Sequence, residues 1–236
     1  MILAPRRSDM SREQFRRYVT EVHGPLVRSV PEVAADIRHY HYNFPVIGSV
    51  DPLFAHPPAG ALDIVTQGWF DSLAAQLANM ARPRYLQIVR PDEGRFADAA
   101  RAIMHYTTET VIVPSTPAIP PRKLFLFRRR RSDLRREDFQ DAWRTRFRTA
   151  MAELLAGQGA FCGYLQNHTL PERDHPAGSS TKYFDVIDEL SVPAPDALAL
   201  CRPDRAALAR VQALEAELLE PACSRSLVTE TVVNIP

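Results

Sequence analysis

The chain has 236 residues, 45% hydrophobic and 24% charged, enough apolar material for a buried core in one large domain or two of about 110 residues. Lys+Arg is 29 against Asp+Glu 28, a net charge of +1, which removes any global electrostatic case for nucleic acid or an acidic lipid surface. Three scattered cysteines without a CxxC argue against a disulfide framework, and neither a signal peptide nor a run of about 18 apolar residues is evident, so a soluble cytoplasmic protein is expected.

In chain order, Met1–Ala4 is a short strand. Ser11 followed by Gln14 fits a capping box, and Phe15, Tyr18, Val19, Val22 and Leu26 then fall on one helical face. Gly24-Pro25 must disturb or end that helix, because proline lacks an N–H and restricts its predecessor. A second strand follows near residues 37–44 and a third near 62–70, with helical stretches at 72–80 and 96–105. Residues 114–121 hold four prolines in eight positions and form a stiff extended linker. The order then recurs: a strand at 123–127, a helix carrying Phe139, Ala142, Trp143 and Ala150, strands near 161–168 and 183–190, and a helix over 204–220.

The recurrence is also one of identity. Residues 6–15 and 130–139 agree at seven of ten positions with an offset of 124, and Tyr40/Tyr164 and Asn43/Asn167 match at the same offset. The string TETV ends both halves, at 108–111 and 229–232. The chain therefore reads as α+β, with two ferredoxin-like βαββαβ modules: residues 1–113, the linker 114–121, and residues 122–236.

Several residues are candidates for chemistry. His23, at the end of an amphipathic helix, suits acid–base work near neutral pH, or it serves only to bind freed helix carbonyls. Alternation along His39-Tyr40-His41-Tyr42-Asn43 puts His39, His41 and Asn43 on one face and Tyr40 and Tyr42 on the other, without saying which face meets a cavity. His41 occurs only in the first copy, which favours a functional role; Tyr40, Tyr164, Asn43 and Asn167 persist in both, which favours a structural one. Tyr18, Trp69, Phe70 and Trp143 are candidates for an aromatic ligand pocket or are plain core. Asp185, set among apolar strand residues, is a candidate acid with a raised pKa or an outward strand position. His39 and His41 could share a metal with Asp63 or Glu109, and His23 or His41 a haem, but no spacing is diagnostic. The arginines 128–131 look like an anion patch, with solvated loop residues the plainer reading. Glycine-rich phosphate loops and a GxSxG elbow are missing from the sequence, which argues against nucleotide-dependent chemistry and serine hydrolysis.

The string FRRYVTEVHGPLVRSVPEV (15–33), with Tyr40, Asn43, GWFDS (68–72) and DEGRF (92–96), resembles the EthD family of dimeric α+β barrels. The resemblance covers nearly all of the first copy and, more weakly, the second. It implies an intramolecular dimeric α+β barrel and a small hydrophobic ligand, aromatic or polyketide-like, handled without a cofactor. In the second copy Phe147 replaces His23, Thr149 replaces Pro25, Leu155 replaces Pro31, and DE-x-x-F has no clear counterpart. One working pocket, in the first copy, is expected. The expected activity is proton abstraction by His23, with His41 and Tyr40 catalytic beside it and Asn43, Tyr18, Trp69, Trp143, Tyr164, Asn167 and Asp185 binding substrate. Decarboxylase, lyase and oxygenase outcomes stay open. The rival readings are a carrier that protects a reactive intermediate and a structural partner of an oligomeric enzyme. A monomer is feasible because the modules are already paired in one chain; the apolar helix faces leave a homodimer open.

Overall fold

A computed structural model describes residues 1–54, 56–60, 62–171, 174–175 and 184–235. The first copy runs β1 (Ile2–Ala4), α1 (Arg12–Tyr18), a π-helical turn (Val19–His23), α2 (Gly24–Arg28), α3 (Pro31–Ala34), β2 (His39–Pro45), β3 (Ile64–Trp69), α4 (Leu73–Met80), a second π turn (Tyr85–Val89), α5 (Arg90–Glu93), β4 (Ile103–Met104) and β5 (Thr107–Val113). The second runs β6 (Arg122–Arg128), α6 (Arg136–Ala142), a π turn (Trp143–Phe147), α7 (Arg148–Leu155), β7 (Gly163–Thr169), β8 (Val186–Val192), α8 (Arg205–Leu218) and β9 (Arg225–Ile235). The α+β class and the ferredoxin-like order are those expected. The third strand of the second copy begins at Val186; Tyr183, its expected start, lies outside the described residues. Among the described residues no helix is long and apolar enough to cross a membrane.

The chain divides into two compact units that cut across the repeat boundaries. Unit 1 is Met1–Pro45, Gly60–Tyr106 and the residues from Thr231 on; unit 2 is Val46–Ala59 and Thr107–Glu230. In unit 1 the strand order is β4-β1-β3-β2, and in unit 2 it is β9-β6-β8-β7-β5. β5 ends the first repeat in sequence, yet it pairs antiparallel with β7, Thr107 opposite Thr169, and so belongs to unit 2. Backbone pairing, rather than sequence proximity, assigns a strand to a sheet.

The helix starts as its sequence dictates. Ser11 Oγ accepts from Gln14 N at 3.1 Å and Gln14 Oε1 accepts from Ser11 N at 2.8 Å, a capping box that stabilises the first turn by about 1 kcal/mol. Gly24-Pro25 does not end the helix. The turn before it widens instead, with Gly24 N–H donating to Val19 O, five residues back. That extra residue rotates the buried stripe by one position. Val22 and Leu26 were expected inside, but Val22 is 45% exposed while His23 and Val27 are each 2% exposed. The second copy has the same π turn at the same offset, with Arg148-Thr149 in place of Gly24-Pro25, so proline is not its cause.

A second expectation fails over residues 96–105, which are not helical. A single turn closes at Asp98, and Ile103 and Met104 pair with Leu3 and Ile2 as β4. The open edge of β1 outcompetes the helix propensity of an alanine-rich run. The core of unit 1 is Phe15, Val19, Tyr42, Phe44, Ile64 and Phe96 between sheet and helix, with a second cluster of Val27, Val33, Ile37, Tyr85 and Val89. Unit 2 has a larger core built on Leu124, Leu126, Phe139, Trp143, Phe147 and Leu190.

Candidate active site

The π turn brings His23 inward against the Phe96 ring, 4.7 Å between centroids. Its Nδ1 lies 2.9 Å from Asp92 Oδ2, and the other oxygen of Asp92 accepts the Tyr18 hydroxyl at 2.6 Å. His23 and Asp92 are both buried. A carboxylate beside Nδ1 favours the tautomer in which Nδ1 donates, which leaves the lone pair on Nε2. Burial first, then the Asp92 carboxylate, raises the Tyr18 pKa and keeps its hydroxyl a donor. The arrangement is a base oriented by a third group, which suits proton transfer at carbon or oxygen.

A cavity lies on the helix-facing side of the unit 1 sheet. Ile2, Tyr40, Thr66, Gly68 and Met104 line it from the strands, and Val27, Val33, Met80, Tyr85, Val89 and Glu93 from the helical side. Its cavity volume is about 60 Å³. That is room for a few waters at about 10–15 Å³ each, so a ring-sized ligand requires lining side chains to move. Gly68 makes part of the space: a Cβ there would meet the Tyr40 and Phe70 rings at 3.3 Å. Glu93 Oε1 accepts from the Tyr85 hydroxyl at 2.8 Å and Oε2 pairs with Arg90 at 2.8 Å. Burial is the largest cause raising the Tyr40 and Tyr85 pKa values; Tyr42 and Glu93 add to it for Tyr40, and Glu93 for Tyr85. Both phenols stay protonated, and Tyr85 gives its one proton to Glu93.

His23 does not itself line this cavity. Ring neighbours lead from His23 to Tyr42, 6.5 Å between centroids, and on to Tyr40 at 5.2 Å, which does line it. Asp92 and Glu93 are adjacent in the chain, one bound to His23 and Tyr18, the other facing the cavity. Neither was singled out from the sequence, although DEGRF was noted; the motif was the signal, and its partners, 69 and 74 residues away, were not readable locally. Tyr85, eight residues from Glu93, was missed with no motif to mark it.

The remaining sequence candidates do not join this cluster. His41, Asn43 and Trp69 alternate with Tyr40 and Tyr42 and so lie on the sheet face away from the helices. There Trp69 packs against His41 at 4.9 Å, and Asn43 donates to Val65 O at 2.9 Å and Gln67 Oε1 at 3.0 Å while accepting from Thr231. The grouping of His23 with His41 and Asn43 is thus undone by strand alternation; Tyr40 alone of that strand's candidates faces the cavity. In unit 2, Trp143 is fully buried, stacked on Phe147 at 3.6 Å, and donates to Asp188 at 3.2 Å; Tyr164 donates to the same oxygen at 3.0 Å. Asn167 is buried on Ile187 O. Asp185 is pinned by Arg130 and Arg136 at 3.3 and 3.4 Å, and Asp63 by Arg6 and Arg12 at 3.7 and 3.1 Å. The two carboxylates sit at matching places in the repeats and clamp strand to helix, a structural duty. Arg128, expected in solvent, is fully buried and paired with Glu215 at 2.7 Å. Among the described residues no group of three or more His, Cys, Asp or Glu is placed to hold a metal ion.

Comparison with known proteins agrees with this architecture. The chain is 32% identical over 109 residues to the conidial pigment biosynthesis dehydratase EthD of Metarhizium robertsii, a match covering 44% of this chain and 75% of the relative. Among solved structures, an anthrone oxidase-like protein superposes with a TM-score of 0.60 at 12% identity, covering 99% of this chain and 91% of the other. A candidate monooxygenase of Lactobacillus acidophilus NCFM does so with a TM-score of 0.50 at 10% identity and the same coverage. These two likenesses establish the fold alone. The EthD domain model matches residues 7–100, the stretch that carries His23, Tyr40, Glu93 and Asp92, and the chain belongs to the EthD family.

Proposed function

We propose that unit 1 is a lyase site that removes water from a small, largely apolar ring compound of aromatic or polyketide type, with His23 as acid–base and no organic cofactor. The observation that carries the reading is the buried Nδ1–Asp92 contact at 2.9 Å, with Tyr18 on the second oxygen. The dehydratase name of the Metarhizium relative supports the choice of elimination over decarboxylation or oxygenation. In the proposed step, His23 Nε2 takes a proton from the carbon between a carbonyl and a hydroxyl-bearing carbon. The electron pair forms the double bond as the C–O bond breaks, and the imidazolium returns its proton to the leaving hydroxide. Asp92 stabilises the imidazolium, and Tyr40 donates to the enolate oxygen. A positioned base of this kind contributes about 10²–10⁴-fold.

The test is turnover of a β-hydroxytetralone, which loses water to give a naphthol. Wild type is expected to form the naphthol, and His23→Ala and Asp92→Asn to do so far more slowly with unchanged folding. Equal rates for wild type and His23→Ala would remove His23 from the mechanism. The second reading, a binding or carrier protein, is favoured by His23 lying outside the cavity lining; it predicts ligand binding with no naphthol formed by any variant.

A further inference from the structure

We propose that Glu93 is the specificity-determining residue of the unit 1 cavity: its carboxylate selects a neutral ring compound that presents a hydroxyl, and turns carboxylates away. The inference rests on the reading of that cavity as the substrate site. Among the described residues no lysine, arginine or histidine lines the cavity and Glu93 is its one acidic side chain; Met1 also lines it, but burial lowers the pKa of its α-amino group to about 5 and leaves it uncharged at neutral pH. A ligand carboxylate would therefore meet a like charge with no cation inside to offset it, a burial that is strongly unfavourable. A hydroxyl meets the opposite situation. A carboxylate offers about four acceptor directions, and Glu93 uses one oxygen for Tyr85 and the other for Arg90, so acceptor capacity remains for a charge-assisted bond. Tyr40 supplies a phenol on the same wall and Thr66 a hydroxyl, so a ligand carbonyl or second hydroxyl also finds a partner.

In the second repeat the corresponding carboxylate has a counter-charge inside the fold. The ladders pair Ile2 with Thr66 and Met104 in one copy, and Leu126 with Asp188 and Ser226 in the other, so positions 66 to 104 correspond to 188 to 226. Glu215 stands at the place of Glu93. It is neutralised from inside by Arg128, at 2.7 Å, and Arg128 occupies the position of Ala4. In unit 1 the alanine leaves Glu93, among the described residues, paired with Arg90, whose side chain is 56% exposed, on the outer side. The internal counter-charge is the part that is missing, and a hydrogen-bond donor on a ligand is what the cavity accepts in its place.

The experiment is titration of the full chain at neutral pH with a naphthol and with the naphthoate of the same ring. Wild type is expected to bind the naphthol at least about tenfold tighter. Glu93→Gln, nearly isosteric, is expected to weaken the naphthol about tenfold and strengthen the naphthoate by a similar factor, with an unchanged melting temperature showing that it folds. Gly68→Leu, which fills the cavity, is expected to abolish binding of both. Equal wild-type affinities, a preference untouched by Glu93→Gln, or binding that survives Gly68→Leu would each overturn the proposal. His23→Ala keeps the two readings apart: it is expected to retain the naphthol preference while losing turnover. Normal turnover in His23→Ala alongside a preference that still follows Glu93 would sink the acid–base reading and leave this one standing.

Discussion

Val19, His23, Thr66 and Gly68 in unit 1 occupy the repeat positions held by Trp143, Phe147, Asp188 and Leu190 in unit 2. Three of those replacements add bulk against the sheet. Trp143 and Phe147 stack inside unit 2 and Leu190 is fully buried, where unit 1 keeps Gly68 and a cavity. The fourth turns a threonine that lines a cavity into an aspartate that accepts from Trp143 and Tyr164. The same backbone, down to a π turn at the same offset, thus carries a filled core in one copy and a hollow with a histidine–carboxylate pair in the other. A π turn is often associated with function. Here it is present also in the copy lacking the histidine, so the turn is geometry common to both copies.

Exchanging residues between copies sharpens this contrast. The largest effect is expected from His23→Phe, which installs the unit 2 residue: β-hydroxytetralone turnover should fall about 10²–10⁴-fold, with a stability loss of about 1–3 kcal/mol because buried Asp92 loses its Nδ1 partner. Retained turnover would show that the two helices do not differ in function. Next, Trp143→Ala should lower stability by about 3–5 kcal/mol in denaturant unfolding, because it empties a fully buried site and strips a donor from Asp188. A loss under about 1 kcal/mol would mean that unit 2 is not held by its packing. Gly68→Leu, again the unit 2 residue, should cost about 1–3 kcal/mol from overpacking against Tyr40 and Phe70.

The smallest effect is one of slope. Burial raises the Asp188 pKa to about 6 and lowers that of His168 to about 4. Between pH 4 and 6 the folded state therefore holds an extra proton on Asp188, whose contribution is lost as pH rises. It lacks one on His168, whose contribution is lost as pH falls towards 4. The two oppose each other in the same window. His168→Gln should leave a protein whose melting temperature drops as pH climbs from 4 to 6, and Asp188→Asn one whose melting temperature climbs instead. Parallel profiles for the two variants would contradict both assignments.

Much of the fold was legible without coordinates, for identifiable reasons. The copies share residues at fixed offsets; Ser11 and Gln14 announce a helix start; the alternation of 39–43 correctly separates His41 and Asn43 from Tyr40 and Tyr42. The site was legible in part. His23 and Tyr18 were recognised, but as separate candidates rather than as two ligands of one carboxylate. Asp92 and Glu93 were visible as a motif without a role. The counterpart of that motif in the second copy, Leu214-Glu215 ahead of Leu218, became recognisable only through strand register. The stripe ending in Val22 and Leu26 is off by one residue because a π turn leaves no periodic trace in five residues, and the run at 96–105 has a helical pattern but pairs as a strand with the distant Ile2–Leu3.

What the sequence determined by itself is whatever depends on neighbours within a few positions: helix caps, strand alternation, the duplicated order of elements, and the fact that only the first copy carries a histidine at position 23. What the tertiary structure decided is which side chains meet. Tyr18, His23 and Asp92 converge, and Glu93 faces a cavity, because helices about seventy residues apart pack on one face of a sheet. Packing fills or leaves volume according to the sum of many side chains at once, and no local pattern encodes that sum.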